Sequence, residues 1–202
     1  MVKLFRSVAL ILAITAGFAT NSHADVFGKG ETRYSDIHDF KKWRDVIKKV
    51  ELDNIVNGPV TRKWKADIAK IGAQNLTREQ KIAAVNNYFN KSISYSEDSE
   101  VWRVSDYWAS PTETMAKGYG DCEDYAIAKY FSLKMLGVSE QDMRLVVLND
   151  TRKNQLHAIL VIDNGSTNYV LDNQNKNLMT DSQIAYYAPI YSINEHNWWK
   201  NS

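Results

Sequence analysis

The chain of 202 residues has one cysteine, Cys122, so no internal disulfide can form and a disulfide-stapled scaffold is excluded. Three prolines and nine glycines are too few for long flexible linkers, and no internal repeat is present. Neither sign of charge dominates: 25 Lys and Arg face 24 Asp and Glu, with no long basic stretch. That excludes the electrostatic footprint of a nucleic-acid binder. After the first residues no apolar run is long enough to cross a bilayer. Hydrophobic residues nevertheless make up 44% of the chain, enough to build a core, so global disorder is excluded as well. The length fits one domain, or one with an appendage.

Residues 1–24 read as a signal peptide. Lys3 and Arg6 form a positive n-region, Val8 to Phe18 is an apolar run, and Ser22-His23-Ala24 supplies the small residues of a cleavage site. The run is short for a membrane span, although an uncleaved anchor is the alternative. Cleavage after Ala24 leaves a domain of residues 25–202 with 23 basic and 24 acidic residues. The chain is therefore expected to be exported. In an oxidising compartment a lone cysteine has three readings: a buried structural thiol, half of an intermolecular disulfide, or a reactive nucleophile.

Apolar spacing predicts helices over Asp39–Leu52 and Val60–Ile71, and a third opening at Thr77, where Gln80 completes a capping box. Ser110-Pro111-Thr112-Glu113 is another helix start, with Gly118 and Gly120 beyond its end. Cys122 opens a helix to about Leu136 that is apolar nearly all round and therefore buried, with Gly137 as its stop. Strand patterns follow at Leu145–Leu148, Gln155–Asp163, Tyr169–Leu171 and, more weakly, Tyr186–Tyr191. Helices first and an antiparallel sheet second predict an α+β fold, the Cys122 helix packing on the sheet.

Three residues could do chemistry together. Cys122 stands at a helix N-terminus, where partial positive charge and free N–H groups favour a thiolate and can hold an oxyanion. His157 lies near the start of one strand, and Asp172 at the end of the strand expected to pair with it. With Asn164-Gly165 as a two-residue turn, Asp172 falls directly opposite His157, on the same face of the sheet. A slip of one residue would put the two on opposite faces. Taken singly, a strand histidine can be a satisfied core residue and Asp172 a turn former. His23, His38 and His196 sit in the signal segment, before a surface helix and in the C-terminal tail.

The residues beside the cysteine conflict with a thiolate. Asp121, Glu123 and Asp124 place three carboxylates within a turn of Cys122, and negative charge raises a thiol pKa. Helical phase predicts the acids on one arc and Cys122 on the other. A hard divalent cation, calcium rather than zinc, would relieve the conflict. The alternative is a simple acidic helix start with Asp121 as N-cap.

Gly120-Asp121-Cys122-Glu123-Asp124-Tyr125-Ala126, Leu156-His157-Ala158 and Leu171-Asp172-Asn173 resemble the bacterial transglutaminase-like cysteine proteinases over nearly the whole mature chain. The resemblance implies a papain-like core with Cys122 as nucleophile, His157 as base and Asp172 as orienter. It implies calcium dependence, with Asp121 and Glu123 as ligands and Asp124 as a third. It also implies a substrate, the N-terminal region of a large cell-surface adhesin cut near a pair of alanines to control biofilm attachment. The implied partner is an inner-membrane cyclic di-GMP receptor that sequesters the protease through its periplasmic domain. Two other classes share the residues: a transglutaminase passing the acyl group to an amine, and a calcium-stabilised binding module with an inert Cys122.

Overall fold

A computed structural model describes residues 25–201, so the expected signal segment and its cleavage site lie outside the described residues. The helical periodicity of the first half becomes α1 (Lys41–Val56), α2 (Pro59–Gly72) and α3 (Arg78–Ser92). The first begins and ends later than its apolar pattern suggests; its C-cap is Asn57, in the left-handed region at φ 49°. The capping boxes at Thr77 and Ser110 both form. A short helix α4 (Asp98–Val101) precedes α5 (Pro111–Lys117), which stops at Gly118 with φ 72°. Helix α6 (Cys122–Met135) follows and is buried over most of its length, as its all-round apolar character requires.

The strands are β1 (Glu31–Tyr34), β2 (Ser94–Tyr95), β3 (Tyr119–Gly120), β4 (Met143–Asp150), β5 (Gln155–Asp163), β6 (Asn168–Leu171), β7 (Met179–Thr180), β8 (Tyr187–Ile193) and β9 (Trp198–Asn201). Seven form one sheet in the order β1-β9-β8-β4-β5-β6-β7, antiparallel throughout, while β2 and β3 make a separate parallel pair. This is the expected α+β architecture.

Alternation along the strands gives the sheet two apolar faces. Leu145, Leu160, Ile162, Leu171 and Ile193 join the main core with α1, α2, α3 and α6. Val146, Leu148, Ile159, Val161 and Val170 face the other way and are covered by Val26, Ile184 and Tyr187. Two tryptophans fasten the helical layer: Trp64 Nε1 donates to Ser132 Oγ at 2.8 Å and Trp43 Nε1 to the Asn194 carbonyl at 2.9 Å.

The β5–β6 register differs from the expected one. Asp163 pairs with Asn168 and Leu160 with Leu171, and the Asn164 N–H donates to the Thr167 carbonyl. Gly165 and Ser166, not Asn164 and Gly165, are therefore the central turn residues. The reason is backbone conformation: Gly165 takes φ 85°, which suits glycine at the first central position of a hairpin turn. Moving the turn by one residue shifts the facing pairs by two. His157 and Asp172 become diagonal neighbours instead of opposed ones, still on one face, because side chains alternate with period two.

Candidate active site and metal centre

His157 is buried near the start of β5, and Asp172 is buried one residue past β6. His157 Nε2 lies 3.0 Å from Asp172 Oδ1. Three further donors reach the same carboxylate: the Gln174 N–H on Oδ1 at 2.8 Å, and Asn175 Nδ2 at 2.9 Å and Tyr187 Oη at 2.6 Å on Oδ2. Burial alone would raise the Asp172 pKa. The bonds from His157, Tyr187 and Gln174 outweigh it and hold the carboxyl down at about 2. Asp172 is thus an anion in the interior, fixed on all sides, which is the arrangement that orients an imidazole. With Nε2 committed to Asp172, the nitrogen left for chemistry is Nδ1, 3.4 Å from Gln174 Nε2.

Cys122 and His157 line one cleft of about 390 Å3 with Tyr95, Glu97, Lys153, Leu156 and Gln174. Beside β5 the Ala158 N–H acts on the Cys122 sulfur, which sets the thiol next to the residue following His157. Burial, and then the Glu123 and Asp121 carboxylates, push the thiol pKa far above its ordinary range. The thiol itself donates to Glu123 Oε2 at 3.1 Å. This corrects the expectation that Cys122 and the acids occupy opposite arcs. Ligand atoms of Asp121, Cys122 and Glu123 lie within 4.8 Å of one another.

The acids are not a helix cap. Asp121 occupies the N-cap position of α6, yet its side chain makes no capping bond. Instead Asp121 and Asp124 meet a carboxylate that sequence reasoning missed, Asp98 at the start of α4, with oxygens of all three within 4.8 Å. All three are buried, and Asp98 Oδ1, Asp121 Oδ1 and Asp124 Oδ2 have no hydrogen-bond partner. The second oxygens of Asp98 and Asp124 are held by backbone, Asp98 by the Tyr107 N–H and Asp124 by the Ala109 N–H at 2.8 Å. Burial raises Asp98 to about 6, Asp124 to about 8 and Asp121 to about 10; mutual repulsion adds to each, most heavily from Glu123. Three buried, unpartnered carboxylate oxygens without an imidazole among them fit a hard cation with oxygen ligands, and calcium is such a cation. Glu123 and Asp106 extend the group toward solvent. In the sequence Asp98 is one acid in Glu97-Asp98-Ser99-Glu100 and carries no spacing signal of its own.

Residues 62–201 match the sequence pattern described as bacterial transglutaminase-like cysteine proteinase. The chain belongs to that family. Among solved structures, this transglutaminase-like proteinase is similar to LapG of Legionella pneumophila, at 29% identity over 77% of this chain and 87% of that one, with a TM-score of 0.61. Similarity to the calcium-bound form of the same Legionella protein spans the same shares at a TM-score of 0.62. Comparison with curated proteins found no match. The family is one of cysteine proteinases, and Cys122 is the single cysteine in this member.

Proposed function

We propose that this chain is a calcium-dependent cysteine endopeptidase with Cys122 as nucleophile, His157 as base and Asp172 as orienter. The carrying observation is the 3.0 Å His157–Asp172 bond in the cleft that Cys122 also lines. In the reaction the Cys122 thiol turns from Glu123 and gives its proton to His157 Nδ1. The sulfur attacks a peptide carbonyl, and N–H groups at the start of α6 receive the oxyanion. His157 passes the proton to the leaving amine, and water then hydrolyses the thioester. Asp172 fixes the tautomer by accepting the hydrogen bond from Nε2–H.

Asp98, Asp121, Glu123 and Asp124 would hold the calcium ion. When bound, the ion supplies positive charge that offsets the carboxylates beside the thiol. The Legionella relative with bound calcium supports this reading.

The substrate we propose is the N-terminal region of a large cell-surface adhesin, whose cutting would release the cell from a biofilm. The proposed setting is the periplasm, reached through residues 1–24, with residues 25–202 as the mature domain. A periplasmic domain of an inner-membrane cyclic di-GMP receptor would be the sequestering partner. These finer points rest on the family resemblance. No helix among the described residues is long and apolar enough to cross a membrane. The test is incubation of the purified chain with outer-surface proteins of the same cell, with calcium and with chelator, reading products by mass. A discrete large fragment formed only with calcium supports the proposal; crosslinked ladders, or no change, defeat it.

A further inference from the structure

Tyr187 on β8 touches both partners of the dyad without belonging to the reacting atoms. Its hydroxyl donates to Asp172 Oδ2 at 2.6 Å, and its ring lies 5.6 Å from the His157 ring, tilted by 52°. The residue is buried on the sheet face away from the helical layer. What covers Tyr187 there is the first described segment of the chain. Phe27 meets it edge-on, centroids 5.9 Å apart at 81°, and Val26 is buried in the same apolar cluster. That segment is held in a conformation it would not choose alone. Phe27 has φ 55°, in the left-handed region that a bulky residue rarely enters. Its N–H donates to Asp181 Oδ2 at 3.3 Å, while Asn168 Nδ2 bonds both Asp181 Oδ2 at 2.7 Å and the Asp25 carbonyl at 3.4 Å. The sequence fits this position for another reason: Val26 and Phe27 are the second and third residues past the expected cleavage site.

We propose that Tyr187 is a positioning residue of the active site, and that Val26 and Phe27 hold it there as a buttress running from the mature N-terminus to the His157–Asp172 pair. The proposal rests on the triad reading given above. The phenol takes the second oxygen of Asp172, which leaves Oδ1 aimed at His157, and the ring walls the pair from water. Charged or titratable groups facing Asp172 are His157 from β5 and Tyr187 from β8. Lys129 acts on it from the helical side. Burial and the Asp172 charge keep the Tyr187 phenol protonated, so it remains a donor across the working range.

The experiment uses four variants of the full mature chain in a Cys122→Ala background: Tyr187→Phe, Phe27→Ala, Phe27→Tyr and the double change Tyr187→Phe/Phe27→Ala. The Asp172 carboxyl is titrated by carbon NMR in each. Tyr187→Phe should raise its midpoint by about one pH unit, tenfold in the equilibrium. Phe27→Ala should move it in the same direction, Phe27→Tyr should leave it in place, and the double variant should fall short of the sum because both act through one contact. An unmoved midpoint in Tyr187→Phe overturns the positioning role. A shift there with none in Phe27→Ala overturns the buttress. Neither readout needs catalysis, so absence of cleavage by the unmodified chain would defeat the protease reading and leave these results standing on their own. In the active chain the same variants should lower kcat more than they change KM.

Discussion

Gly120 stands so close to Asp124 that a Cβ added there would lie 2.7 Å from Asp124 Oδ2. The oxygen that comes so near is one of the buried, unpartnered oxygens of the acid cluster. Gly120→Ala should therefore push the Asp124 carboxylate out of the cluster. The expected result is weaker calcium binding by calorimetry, with a loss of about 1–3 kcal/mol in urea unfolding from overpacking.

Asp98 adds a carboxylate from outside the cysteine helix, and metal affinity follows ligand charge and number. Asp98→Asn should weaken calcium binding at least about tenfold. Its thermal midpoint should rise less than that of the unmodified chain when calcium is added, because a ligand bound to the folded form stabilises by mass action. Equal calcium-induced shifts in the two chains would remove Asp98 from the site.

Cys122 should react with iodoacetamide slowly in chelator, where Glu123 and Asp121 oppose the thiolate, and markedly faster with calcium. Cys122→Ala should fold, bind calcium and cleave nothing. Slow alkylation under both conditions would favour an inert thiol and a binding module.

Asp172 gives a stability signature at low pH. Its folded pKa, about 2, lies below the ordinary aspartate value of 3.8. The stabilisation is complete above that higher value and is lost as pH falls toward 2, a contribution of about 2 kcal/mol. Urea midpoints between pH 5 and pH 2.5 should fall more steeply in the unmodified chain than in Asp172→Asn. Parallel slopes would show that the carboxylate is not held as described.

Lys129 is wholly buried in α6 with no hydrogen-bond partner for Nζ, and burial drives its pKa down to about 7 from the ordinary lysine value of 10.5. A lysine with a lowered folded pKa costs stability below that value, and the chain regains it as pH rises from about 7 toward 10.5. Lys129→Met should stabilise the protein at pH 6, by about 1–4 kcal/mol, and lose that advantage by pH 10. Thermal scans at the two pH values check this.

The cysteine helix and the hairpin were legible because both are local. Nine apolar residues between Tyr125 and Leu136 give a buried helix whatever surrounds it, and two strand patterns around Asn164-Gly165 give a hairpin. The Asn164-Gly165 pattern points to a turn centre one residue early, since asparagine and glycine suit either position and the choice depends on φ at Gly165. The dyad is unaffected because the resulting shift is even. Other features were hidden by distance. Strand β1 pairs with β9 through Glu31–Asn201, a contact that no local pattern announces. Tyr187 reads as one aromatic in a strand, and Asp98 as one acid in an acidic turn. Each gains meaning from what folding brings beside it, the Asp172 carboxylate in one case and Asp121 and Asp124 in the other.

The split origin of the acid cluster has a mechanical consequence. Asp98 belongs to the helical half of the chain, Asp121 and Asp124 to the helix that carries the sulfur. An ion gripping both would act as a rivet, closing the loop from residue 98 to residue 121 and removing chain entropy much as a crosslink does. Occupancy would then be felt as stiffness along that loop, whose two ends adjoin the cleft residues Glu97 and Cys122, so that the same cation would shape the entrance for a polypeptide and tune the sulfur within it.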